Sequence, residues 1–129
     1  MAPARIRPDD GRAAVIAVRE EFAAGRVADA VGVSRPELAT AVRYLLQVLA
    51  DAHPGHTVEV RVPPFGAVQC VEGPRHTRGT PANVVEMDAS TWVSLAIGDL
   101  PWTDALAEAR VHASGSRADL STLVPLQEW

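Results

Sequence analysis

The chain has 129 residues, enough for one domain that buries roughly two-thirds of its unfolded surface, and its 47 % hydrophobic and 22 % charged content exclude a disordered or fibrous polypeptide. A net charge of −4, with all twelve basic residues arginine, gives no global attraction to nucleic acid or anionic membrane. No apolar run approaches the ~20 residues that span a bilayer. The stretch from Met1 to Gly11 has neither the apolar core nor the small-residue site of a secretory signal. With a single cysteine, Cys70, no disulfide framework can form, and a cytoplasmic location is expected.

The first third of the sequence reads as a helix pair. Ala13 to Ala24 has few breakers, with Asp9 or Asp10 as cap, Gly25 as stop, and Val15, Val18 and Phe22 at spacings of three and four. In the second helix Ser34 and Glu37 have capping-box spacing and Pro36 fits the first turn. Leu38, Val42, Leu45, Leu46 and Leu49 then form an apolar stripe that ends near His53, Pro54 and Gly55. The period next changes to two. Thr57 to Val62 alternates valine with Thr57, Glu59 and Arg61, Pro63, Pro64 and Gly66 make a turn, and Ala67 to Glu72 reads as the returning strand.

A polar loop, Gly73 to Pro81, leads to a third strand at Asn83 to Met87. Asp88 caps a helix from Ala89 to Ile97 that Gly98 stops, and Thr103 caps a shorter one to about Ala109. Val111 to Ser114 reads as a fourth strand with Val111 and Ala113 on one face. Leu120, Leu123 and Leu126 indicate a last apolar helix or strand. The fold class is therefore α+β, with residues 1–55 as a helical N-terminal part and 56–129 as a sheet with crossover helices, all within one domain.

Catalytic patterns are missing from the sequence. Ser114, Gly115 and Ser116 lack the flanking glycines of a nucleophile elbow, and the nine glycines are scattered instead of forming a phosphate loop. His53 and His56 sit three apart in a proline-glycine turn with no third ligand nearby, so solvent-exposed turn histidines are the preferred reading. Cys70, among apolar strand neighbours, reads as an inert buried thiol. Arg75, His76 and Arg78 form the one polar concentration able to hold a carboxylate or phosphate, against the plainer reading of a solvated loop. Val27 to Leu46, with Gly32 in the turn and Ser34 starting the long helix, has the outline of a helix-turn-helix. Only Arg35 and Arg43 offer phosphate contacts on its second helix, and strands follow where a third helix is needed.

From Asn83 to Leu126 the sequence resembles the C-terminal half of sterol carrier proteins. The shared order is a strand (Val84 to Met87), the cap Asp88, an apolar helix (Trp92, Leu95, Ala96) closed by Gly98, then Leu100, a short helix (Thr103 to Ala109), a strand (Arg110 to Ala113), Gly115 and an apolar tail (Leu120, Leu123). With Pro63, Pro64, Phe65, Gly66 and the run His76, Thr77, Arg78, Gly79, the chain is similar to the short bacterial orthologues of that family, of the kind found in actinobacteria.

The resemblance implies a mostly antiparallel sheet of about five strands, covered by helices, with the N-terminal helix pair as an addition. It also implies an apolar cavity between the layers that holds a lipid, fatty acyl or sterol-like molecule without catalysis. The cavity residues would be Val85, Trp92, Leu95, Ala96, Leu100, Trp102, Leu106 and Leu123, with Arg75, His76 and Arg78 at the polar head. For each apolar position, plain core packing is the competing reading. No cofactor, metal, nucleic acid or stable membrane insertion is expected. The alternatives are a protein-interaction module with a filled core, or a DNA-binding regulator using the N-terminal helices.

Overall fold

The computed structural model describes residues 4–23, 34–73 and 83–129. Helix α1 (Pro8–Ala23) starts earlier than the apolar spacing predicts, because Pro8 suits a first turn and Asp9 and Asp10 lie in that turn, beside the positive end of the helix, and not at the cap. Gly25, the expected stop, lies outside the described residues. Helix α2 (Arg35–Ala52) follows its sequence signals closely. The Ser34 hydroxyl accepts the Glu37 N–H at 3.2 Å, Pro36 sits in the first turn, and Leu38, Val42, Leu45, Leu46 and Leu49 are all buried. The two helices pack together at Gly11, where a Cβ would come within 2.2 Å of the Tyr44 ring.

Strands β1 (Val58–Val62) and β2 (Gly66–Cys70) form an antiparallel hairpin with Val60 opposite Val68. The second strand stops at Cys70, short of the expected Glu72, because Val71 turns to a positive φ of 70° and gives its N–H to the His53 carbonyl at 2.7 Å. β3 (Asn83–Met87) has the expected bounds. Its Asn83 side chain is buried and donates to the Thr57 carbonyl while accepting the Arg117 N–H, both at 2.9 Å.

Helix α3 (Ala89–Ile97) ends in Gly98, whose φ of 88° is the left-handed conformation that favours glycine. Helix α4 (Trp102–Ala107) is entered through Pro101 with no side-chain cap. Thr103, expected to cap it, already lies inside, because the buried Trp102 draws the first turn onto the core. Ala109 takes a φ of 56°, which ends the helix before the expected boundary. β4 (Val111–Ser114) completes the order β2-β1-β3-β4.

Among the described residues the sheet thus has four strands and is mixed, which corrects the expectation of about five mostly antiparallel ones. β1 and β3 run parallel in the centre, and β2 and β4 flank them antiparallel. The hairpin explains the parallel pair: β2 returns the chain to the end where β1 began, and β3 starts there, with Asn83 opposite Val58. The apolar tail adds no regular element. It packs irregularly, with Leu120, Val124 and Leu126 buried and the Leu126 N–H given to the Ala96 carbonyl at 2.9 Å. Of the two β4 residues expected on one face, Val111 is buried and Ala113 is exposed.

One sheet face presents Val58, Val60, Val62, Cys70, Val85 and Met87 to a common core with α1, α2 and α3. Period-two geometry puts Glu59, Arg61, Gln69 and Glu86 on the other. No helix among the described residues is long and apolar enough to cross a membrane.

The start of α3 couples stability to pH. Asp88 accepts the Thr91 N–H at 2.8 Å and the Ser90 hydroxyl at 3.2 Å. Burial pushes its carboxyl up, but the Thr91 and Ser90 hydrogen bonds and the Arg110 charge outweigh that, so it lies below the usual carboxylate range. A folded-state pKa below the unfolded one contributes stability that is present above about pH 4 and is lost as pH falls through the folded value. Asp88→Ala is therefore expected to cost about 1 kcal/mol at pH 7. In urea unfolding that difference should shrink at pH 3.

Candidate functional site

The apolar residues singled out from the sequence divide into three environments. Val85 on β3 and Trp92, Leu95 and Ala96 on α3 are fully buried, and with Trp102 at the start of α4 they belong to the packed core. Trp92 is also pinned to α2, its indole N–H reaching the Val42 carbonyl at 3.3 Å. Leu100 and Leu123 are half-buried against that core. Leu106 stands apart, 45 % exposed on α4. Arg75, His76 and Arg78 lie outside the described residues.

Open space lies where the helix layer meets the β2 edge of the sheet. A groove of about 740 Å³ runs there along α2. Its floor is one helical stripe, with Thr40, Arg43, Leu46, Gln47, Ala50 and Asp51 recurring at steps of three and four. At 1.5 Å per residue, that stripe is about 16 Å long. One wall is the segment from Ala4 to Ile6, which precedes α1. The Gln47 amide holds this wall by accepting the Ile6 N–H at 2.9 Å and donating to the Ile6 carbonyl at 3.0 Å, and the Arg5–Asp51 ion pair lies beside it.

The other wall is β2, through Gly66, Ala67 and Val68. A Cβ on Gly66 would stand 3.5 Å from Leu46 Cδ1 and 3.6 Å from Arg43 Cγ, so the missing side chain is part of what keeps the groove open. At this end the Arg43 Nε–H donates to the Phe65 carbonyl at 2.7 Å, and the Arg35 guanidinium lies 5.3 Å from the centroid of the Phe65 ring. A second groove of about 570 Å³ lies between the end of α2 and the C-terminal segment, with Val48, His53, Leu123 and Pro125 in its lining. Among the described residues of the sequence-derived set, Leu123 is the one that borders either groove.

Cys70 is fully buried, and burial pushes its thiol up to about 11, which leaves almost no thiolate at neutral pH. His56 is exposed and shares a 2.7 Å hydrogen bond with the Gln69 side-chain carbonyl, while His53 sits at the C-cap of α2. No group of three metal-ligating side chains comes together among the described residues. The turn of the helix-turn-helix outline, 27–33, lies outside the described residues. Its second helix, α2, is packed against α1, α3 and β2. Sequence reasoning overlooked Ile6, Gln47 and Gly66. Gln47, a polar residue between Leu46 and Val48, was the available signal.

Comparison with protein families matches residues 34–126 to the family described as "Bacterial SCP ortholog". The match begins at the α2 cap and includes the groove's floor and its β2 wall, but not the segment from Ala4 to Ile6. None of the curated proteins compared matches the chain.

Proposed function

The chain belongs to the bacterial SCP (sterol carrier protein) ortholog family, and from that premise we propose that it carries an apolar or amphipathic small molecule, making and breaking no bond. Family membership suggests a lipid carrier, and the observation that carries the reading to this chain is the α2–β2 groove. Its volume of about 740 Å³ falls within the range of small-molecule sites. Leu46, Ala50, Val68 and Ile6 supply an apolar track, with polar groups at its ends. Burial contributes about 0.8 kcal/mol per methylene, so ten methylenes give about 8 kcal/mol to set against the costs of association. The ligand lies at the junction of sheet and helices. Trp92, Leu95 and Ala96 stand deeper in the apolar layer, and Trp92 meets α2 at Val42. In this proposal residues 1–129 act as one cytoplasmic domain.

Native mass spectrometry of the full chain with micromolar dodecanoate tests the reading. One adduct per chain is expected. A clean unliganded mass with dodecanoate, a long-chain acyl-CoA and a sterol would reject carriage and favour the protein-interaction alternative.

A further inference from the structure

We infer that the β1–β2 turn end of the groove is a head-group site, in which Arg43 selects a single-chain amphiphile with an anionic head. The inference rests on the proposed carrier function and adds the ligand's charge and direction. Four arginines, Arg5, Arg12, Arg19 and Arg61, have carboxylate partners. Arg43 has none among the described residues. Its Nε–H is used by the Phe65 carbonyl, which anchors the guanidinium and leaves its terminal nitrogens without a partner there. Arg35, stacked on the Phe65 ring, likewise has no carboxylate partner among the described residues.

Arg43, in the groove's lining, and Arg35, beyond the lining on the Phe65 ring, therefore stand without carboxylate partners among the described residues, in a chain of net charge −4. The far end is electrically closed, because Arg5 and Asp51 neutralise each other. Between the ends lie Leu46, Ala50 and Val68. An uncompensated cation, an apolar track and a neutral end match a molecule with an anionic head and one apolar tail. The guanidinium fork suits a carboxylate or phosphate oxygen pair.

The experiment is a calorimetric titration of the full chain, below micelle-forming concentrations, with dodecanoate and with dodecanol, which has the same chain and no charge. The native chain should bind dodecanoate about tenfold to a hundredfold more tightly, the range expected for charge-assisted hydrogen bonds, and added salt should narrow the gap. Arg43→Gln should weaken dodecanoate far more than dodecanol and so remove most of the preference. Equal binding of both probes by the native chain overturns the inference, as does a preference that survives Arg43→Gln. Equal weakening of both probes also overturns it, since Arg43 would then only hold the turn through Phe65. If neither probe binds, the carrier function itself fails. Co-sedimentation with phosphatidylglycerol vesicles that persists in Gly66→Leu would assign the two arginines to a membrane surface and overturn the head-group site.

Discussion

Trp92→Ala lowers the unfolding free energy by about 3–5 kcal/mol, a large part of the 5–15 kcal/mol typical of a domain. Trp92 heads the fully buried side chains by volume, and it joins α3 to α2 by both packing and the bond from its indole N–H to the Val42 carbonyl. Truncation removes the apolar contacts and leaves a cavity that rigid neighbours fill only in part. Urea unfolding of the two proteins measures the difference, and Trp92→Phe should recover most of it because the apolar volume is largely kept. The size of the effect also bears on where a ligand can sit. An open space beside Trp92 would make truncation cheap, so a loss below about 1 kcal/mol would move the cavity back between sheet and α3.

Gly11→Val is expected to cost about 2–3 kcal/mol, at the upper end of ordinary overpacking. A glycine inside a helix is locally unfavourable by about 1 kcal/mol relative to alanine, so Gly11 is retained in α1 against propensity. The reason is the Tyr44 ring, whose Cγ, Cδ1 and Cδ2 would lie 2.2, 2.3 and 2.6 Å from an added Cβ. A flat ring held at 3 % exposure has nowhere to retreat, so α1 must tilt away from α2. The segment from Ala4 to Ile6 leads directly into α1, and tilting pulls Ile6 from the Gln47 amide. Loss of stability in thermal unfolding should therefore come with weakened dodecanoate binding. A stable Gly11→Val protein would mean that the helix pair slides without strain.

How much was legible from sequence depends on how local each signal is. The cap and stripe of α2 are contained within the helix, so Ser34, Glu37, Leu38 and Leu49 announced it. The alternation of β1 and the Asp88 and Gly98 boundaries of α3 are equally local. The start of α4 was misplaced because Trp102 is positioned by the core and not by a cap. The parallel pairing of β1 with β3 depends on which side of the hairpin the chain returns to, which no residue pattern records. The candidate groove was the least legible feature. Its wall is held by Gln47 and Ile6, 41 residues apart, and its opening by Gly66, which in sequence reads as part of a turn and of the family resemblance and not as a groove residue.

The central claim is that the α2–β2 groove holds the carried molecule, and the most direct test compares the native chain with Gly66→Leu by native mass spectrometry in micromolar dodecanoate. Gly66 does not have a positive φ, and a Cβ there meets Leu46 and Arg43 at ordinary contact distance, so leucine enters the groove without backbone strain. The account predicts one dodecanoate on the native chain and at least a tenfold weaker adduct on Gly66→Leu, with thermal stability nearly unchanged. An adduct of equal strength on both proteins would contradict it and place the ligand elsewhere.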